Sequence, residues 1–182
     1  IAALHLYACG IQEAGLASLA RSLRYGYNNS LVELRLDGDE TVGDDGVEAL
    51  SRGLETNSKL KSLCLGSCGL GPRSGLALGR LLKCRRCQLE HLGLETNKFG
   101  GDGLRLLCMG LVRLKVKDKV GNRIEDVDRF CPLKSLDIAS IDIDAKKATG
   151  YGGIEMLGRV LLENPNIRSI DFNLNMLDQY AG

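Results

Sequence analysis

The residues best suited to chemistry in this chain are its histidines and cysteines. There are two histidines, His5 and His91, and either could ligate a metal or move a proton near neutral pH. Cys84 and Cys87 are separated by two residues, the spacing of half a zinc site or of a redox pair. Whether these side chains can act together depends on the elements that position them.

An internal repeat organises those elements. Six segments are apolar at their first, fourth and sixth positions, and they begin at Ile1, Leu31, Leu60, Leu89, Leu133 and Ile167. The first three intervals between them are 30, 29 and 29 residues. Three residues after the sixth position stands one turn residue per segment, namely Cys9, Asp39, Cys68, Asn97, Ile141 and Asn175. Apolar residues at helical spacing follow each turn except the last, so one unit is predicted to be strand, turn and helix.

This pattern resembles the leucine-rich-repeat family, because four of the six turn residues are Asn or Cys. Residues 42–47 and 99–104 are similar to the ribonuclease-inhibitor-like subclass, as also found in Ran GTPase-activating proteins and NOD-like receptors. Ile141 departs from the pattern. The expected fold class is α/β, a leucine-rich-repeat solenoid of about six repeats. The helices are expected to bury apolar residues that include Leu16, Val47, Leu76 and Leu161.

Geometry predicts that such a stack bends into a horseshoe arc. Parallel strands pair about 4.8 Å apart, whereas helices are about 10 Å wide. The strands should therefore form the concave face and the helices the convex face. The leucines should form one continuous core between these layers.

We expect a single domain over residues 1–182, with insertions at 112–132 and 142–152. Insertions in solenoids lie at an edge, where they extend a binding surface, but a tolerated loop is the equal alternative since loop length costs little free energy. Neither end carries a polar cap or a covering helix. The chain is therefore expected to be a piece of a longer array, or a subunit whose ends are covered by neighbours.

The concave face supplies most of the candidate binding residues. Side chains at the non-core strand positions should line it and contact a partner protein. The candidates are Tyr7, Arg35, Asp37, His91, Glu95, Asp137, Asp171 and Asn173 from the strand segments, with Lys117, Lys119 and Tyr151 from the insertions.

The same register argues against catalysis. Three repeats separate His5 from His91, which is about 14 Å along a sheet, so they cannot share a ligand or a proton. Cys84 and Cys87 lie at the end of a helix, where a fortuitous zinc site with other cysteines is the less favoured alternative to buried, reduced thiols. No phosphate-binding glycine loop or nucleophile elbow is present. We therefore predict no catalytic residue, no metal site and no cofactor.

Composition narrows the class of partner and the location. A net charge of +1 argues against a nucleic-acid surface or an electrostatic membrane anchor, and no apolar run is long enough to span a bilayer. The odd number of cysteines, seven, does not suit a fully paired secreted framework. We therefore expect an intracellular, cytoplasmic protein, with an organelle as the alternative.

The predicted function is a non-catalytic scaffold or assembly subunit that binds one or more proteins through its concave face, edges and insertions. Two alternatives follow from the resemblance. One is a GTPase activator of the Ran type, for which no functional residue can be carried over, and the other is the ligand-sensing repeat domain of an intracellular receptor.

Overall fold

The computed structural model describes residues 1–24, 30–112, 131–144 and 148–175. Strands and helices alternate through these ranges. They are β1 (Ala3–His5), α1 (Glu13–Ser22), β2 (Glu33–Arg35), α2 (Gly43–Leu54), β3 (Ser62–Cys64), α3 (Pro72–Lys83), β4 (His91–Gly93), α4 (Gly100–Cys108), β5 (Ser135–Asp137), α5 (Ala148–Glu163) and β6 (Ser169–Asp171).

The six strands form one parallel sheet in chain order from β1 to β6. In each three-residue strand the middle side chain faces the core and the two flanking side chains face outward. The middle residues therefore form a single apolar row, mostly of leucines, across the sheet. Leu34 pairs with Leu63, and Leu63 with Leu92; their relative exposures are 0%, 0% and 2%. Each helix packs against the helix of the next unit. The predicted α/β leucine-rich-repeat solenoid, with strands on the concave face and helices on the convex face, is confirmed.

A buried side chain in the turn ties neighbouring units together. The amide of Asn97 donates to the carbonyls of Leu65 and Leu94, each at 2.8 Å, and its oxygen accepts from Cys68 N and Leu70 N, both at 3.0 Å. Because the strands are short, these bonds satisfy backbone groups that the sheet ladder does not reach.

Two apolar helix positions depart from the prediction. Leu76 is 39% exposed, because the buried face of α3 lies one residue earlier than expected. Buried residues begin at Gly46 in α2 and at Ser74 in α3, 28 residues apart, whereas the strands before them are 29 residues apart. Leu161 in α5 is 63% exposed, and Val160 is buried beside it.

The predicted insertions lie partly outside the described residues. Residues 113–130 of the first insertion and 145–147 of the second fall there, and Lys117 and Lys119 with them. α5 begins at Ala148, so the end of the predicted 142–152 insertion belongs to that helix. The extent of the domain remains a prediction.

Candidate protein-binding site

The candidate site is the outward surface of the sheet, which we call the concave strip. Strand pairing aligns its side chains in rows, because each strand is in register with the next. One row contains Ala3, Glu33, Ser62, His91, Ser135 and Ser169; the next contains His5, Arg35, Cys64, Gly93, Asp137 and Asp171. Two residues beyond each strand, a third row contains Tyr7, Asp37, Gly66, Glu95, Ala139 and Asn173.

Glu95 occupies the centre of the strip. Its carboxylate lies over two glycines of neighbouring strand segments: a Cβ on Gly93 would stand 3.1 Å from Glu95 Oε2, and a Cβ on Gly66 would overlap Oε1. Oε2 is buried and has no hydrogen-bond partner in the structure. Gly66 and Gly93 therefore leave room for the Glu95 carboxylate. Any larger side chain at Gly66 would displace it.

The electrostatics of this centre are unfavourable to a charged Glu95. Burial raises the pKa of the Glu95 carboxyl, and the nearby carboxylates of Asp137 and Asp37 raise it further. Asp137 Oδ1 accepts a hydrogen bond from Ala139 N at 3.1 Å. Three acidic side chains thus approach one another in the middle of the strip.

Arg35 is the cation beside this cluster. Its Nε donates to Asp37 Oδ2 at 3.0 Å, and this bond is the main reason why the pKa of Arg35 is raised. The other oxygen of Asp37 accepts from Gly66 N at 3.0 Å. Arg35 is exposed on the strip, so Asp37 fixes its orientation without burying its charge.

A row of charged side chains that the sequence analysis did not predict lies just before β3, β4 and β5. Glu90 binds Lys61 Nζ at 2.9 Å and also pairs with Lys134 across β4 and β5. These two lysines lower the pKa of the Glu90 carboxyl to about 2. Alternating charge at the second motif position, Lys61, Glu90 and Lys134, was the available sequence signal.

The ends of the strip are more exposed than its centre. Tyr7 is 73% exposed, and its ring packs over Gly38, with Cζ 3.0 Å from where a Cβ on that glycine would stand. Asp171 and Asn173 are exposed at the other end, joined by a 3.0 Å bond from Asn173 N to the Asp171 carboxylate. These three candidates lie on the strip as predicted.

The remaining predicted residues are placed differently. His91 is exposed on β4. The histidine that makes a side-chain hydrogen bond is His5, whose Nε2 is 3.2 Å from Glu33 Oε1. Tyr151 is 68% exposed in the first turn of α5, outside the three rows of the strip. Whether any of the candidates touches a partner stays a prediction.

The cysteines behave as structural thiols. None of the seven is in a disulfide bond; four are buried, two are half-buried and Cys9 is exposed. Cys68 Sγ donates to Leu36 O at 3.2 Å, and burial raises the pKa values of Cys68 and Cys108 to about 12, so neither forms a ready thiolate. Within the described ranges, no three His, Cys, Asp or Glu side chains are grouped to hold a metal ion. The helices there also include none that is long and apolar enough to cross a membrane.

Comparison with known proteins identifies the class. No family model matches the chain. It is 31% identical over 176 residues to "NACHT, LRR and PYD domains-containing protein 14" of Mus musculus, which covers 96% of this chain and 15% of that protein. It is 29% identical over 175 residues to the ribonuclease inhibitor of Mus musculus, covering 96% of this chain and 33% of the inhibitor. The chain therefore spans a third or less of these relatives.

A solved structure supports the fold. The chain matches "Leiomodin-1 Actin-Binding Site 2 (ABS2)" with a TM-score of 0.55 at 16% identity, over 88% of this chain and 80% of that one. The sheet, its in-register leucines and these relatives define a leucine-rich-repeat protein. The resemblance to the ribonuclease-inhibitor-like subclass that the repeat pattern predicted is confirmed by these relatives.

Proposed function

We propose that the chain is a non-catalytic protein-interaction domain that binds a partner protein through the concave strip. The observation that carries the proposal is the arrangement around Glu95. Charged side chains from neighbouring units converge there, and one buried carboxylate oxygen has no hydrogen-bond partner among the described residues. A hydrogen-bond donor from a partner that reached this carboxylate would satisfy it, and a cation would in addition offset the repulsion among the three acidic side chains.

The surroundings of Glu95 suit contact with a folded protein surface. Arg35 and Asp37 are held together by a hydrogen bond, and Tyr7 offers an exposed ring. Arg and Tyr are among the residues that contribute most to protein interfaces. Side chains from successive units would each add a contact along the arc.

The test compares two sets of four replacements in the tagged chain. Arg35, Asp37, His91 and Glu95 are changed to Ala together, and the matched control changes the convex charges Asp45, Glu55, Arg73 and Arg80 to Ala. Proteins that co-purify with the unchanged chain are quantified for each variant, and thermal melting checks folding. The concave set should reduce recovery of the partner and the convex set should not. An undiminished complex with the concave set would refute this surface.

A second candidate is the repeat domain of a larger receptor-type protein. The 31% identity to a protein named for NACHT, LRR and PYD domains, over 96% of this chain, favours it. Such a receptor would carry a nucleotide-switch domain elsewhere in the polypeptide. Reading the full-length transcript tests this, because a transcript without such a domain would reject the candidate.

The Ran-type GTPase activator stays a prediction with no residue assigned to it. Single-turnover GTP hydrolysis with candidate GTPases tests it, and the absence of acceleration would exclude those assayed.

A further inference from the structure

A groove lies between α2 and α3 on the convex face, away from the concave strip. It has a volume of about 120 Å³, and its lining includes Ser51 of α2, Glu55 directly after α2, and Leu76, Ala77 and Arg80 of α3. An apolar cavity of ~150 Å³ accepts a benzene ring. The groove is therefore large enough for one ring-sized group.

Larger side chains between α2 and α3 explain why the groove is there. Between α1 and α2 the helices are in close contact, because a Cβ on Gly53 would overlap the backbone of Ala20. Counted back from the buried leucine near the end of each helix, Ser51 is the equivalent of Ala20, and Leu81 is the equivalent of Gly53. Two helices with these side chains cannot approach as closely, so a space remains between them.

The floor of the groove contains a hydroxyl that lacks a partner. Ser51 is 4% exposed, and its Oγ makes no hydrogen bond in the described part of the chain. Because a serine side chain has one rotatable angle, this hydroxyl can turn towards a group that enters the groove. Beside it lie Leu76, which is 39% exposed, and the half-buried Ala77. The groove thus offers apolar surface next to one polar group, which suits a ring that carries a hydroxyl.

The charges that line the groove fall into a paired set and an unpaired set. Glu48 binds both Arg52 and Arg73, with N–O distances of 2.5 and 3.5 Å. Glu55 and Arg80, nearer the C-terminal ends of the two helices, are exposed, and neither side chain has a hydrogen bond or ion pair among the described residues. A group that carries an ammonium and a carboxylate close together would pair with both.

We propose that this groove binds a free aromatic α-amino acid, specifically tyrosine. The ring would lie against Leu76 and Ala77, and the phenol hydroxyl would bond to Ser51. The ammonium would pair with Glu55 and the carboxylate with Arg80. A residue inside a polypeptide has neither charge on its own backbone, so the free amino acid fits these two groups better than a tyrosine of a partner protein.

NMR titration of the isotope-labelled whole chain with four ligands tests the proposal. Tyrosine should shift the amide resonances of Ser51, Leu76 and Ala77, with a dissociation constant on the order of 1 mM for so small a ligand in an open groove. Tyramine lacks the carboxylate and desaminotyrosine lacks the ammonium, so each should bind about fivefold more weakly. Phenylalanine lacks the hydroxyl and should bind about threefold more weakly.

Three variants assign each group of the ligand to its side chain. Arg80→Gln should remove the difference between tyrosine and tyramine, and Glu55→Gln the difference between tyrosine and desaminotyrosine. Ser51→Ala should remove the difference between tyrosine and phenylalanine, and it should fold because Ala20 occupies the equivalent place in α1. The control is Lys59→Gln, which removes an exposed charge outside the groove and should leave all four affinities unchanged.

The replacement sets described under the proposed function separate this site from the concave strip. Tyrosine should bind the fourfold concave variant as it binds the unchanged chain, and it should not bind the fourfold convex variant, which lacks Glu55 and Arg80. Partner recovery should show the reverse pattern. Groove resonances that do not respond to tyrosine, or a ranking of the four ligands that the three single variants leave intact, would overturn the proposal.

Discussion

Two polar side chains, Asn97 and Glu95, stand two residues apart and have opposite roles in the structure. Asn97 is 4% exposed and uses both its amide hydrogens and its oxygen on backbone groups of two units. Glu95 is half-buried and leaves Oε2 without a bond. The turn below the sheet therefore satisfies its polar groups internally, whereas the concave strip above it leaves one buried carboxylate oxygen without a bond.

The difference follows from what each position faces. The Asn97 side chain points into the gap between units, where unbonded backbone groups would cost free energy if left alone. The Glu95 side chain lies on the outer side of the sheet against Gly66 and Gly93, where one carboxylate oxygen is buried and no backbone group bonds to it. Two polar residues of one turn thus differ in how fully the fold satisfies their hydrogen bonds.

Replacement of Asn97 should give the largest effect. Asn97→Ala leaves buried N–H groups of Cys68 and Leu70 and two carbonyls without partners, so the free energy of unfolding should fall by about 3 kcal/mol. Urea unfolding followed by circular dichroism measures it. Asn173→Ala is the matched control, since that asparagine is exposed on the strip and should change stability little. Equal losses in both variants would contradict the internal role of Asn97.

Replacement of Glu95 should give a smaller effect that depends on pH. Because burial raises the pKa of Glu95 in the native state, the native protein holds a proton that the unfolded chain loses near its ordinary pKa of about 4.3. The native state is therefore penalised increasingly as pH rises through the raised pKa, and there is no penalty below the ordinary value. Glu95→Gln should gain stability relative to the unchanged chain between acidic and neutral pH, as measured by urea midpoints.

Glu90→Gln is the control of opposite sign for that pH series. The lysines beside Glu90 lower its pKa to about 2, so its contribution to stability is present above the ordinary pKa and is lost as pH falls towards 2. Relative to the unchanged chain, the loss of unfolding free energy in Glu90→Gln should therefore shrink on acidification. The gain of unfolding free energy in Glu95→Gln should disappear over the same change of pH. Parallel pH curves for the two variants would show that burial does not distinguish these glutamates.

The repeat was predictable from sequence, but the state of Glu95 was not. The apolar periodicity at Leu34, Leu63 and Leu92 is local information, and it predicts the strand register because each unit copies the last. The carboxylate of Glu95 lies against Gly66, a whole unit away, and its pKa depends also on the charges of Asp37 and Asp137 in two further units. Sequence could place Glu95 on the concave face, but only the packing of neighbouring units shows that its carboxylate is enclosed.

The apolar periodicity did not predict that Leu76 and Leu161 are exposed. Leu76 faces outward because the buried face of α3 is shifted by one residue relative to its strand. The spacing of apolar residues in the sequence fits both the shifted and the unshifted face, so it could not distinguish them. Leu161 fits the apolar period in full and is nevertheless 63% exposed, while Val160 beside it is buried. The apolar periodicity predicts which residues can be buried in the core. The packing of neighbouring elements determines which of them are buried.

Replacement of Gly66 should give the smallest change in stability and the sharpest test of the enclosure of Glu95. A Cβ at this position displaces the carboxylate, which is the mobile end of a flexible side chain, so Gly66→Ala should cost little unfolding free energy. The displaced Glu95 gains water, and its pKa should fall towards the ordinary value, which carbon NMR of the labelled carboxyl measures directly. Gly93→Ala, whose Cβ would stand 3.1 Å from Oε2, should shift the pKa less. If the pKa of Glu95 is unchanged in Gly66→Ala, the surrounding carboxylates alone raise it, and its enclosure against Gly66 does not contribute.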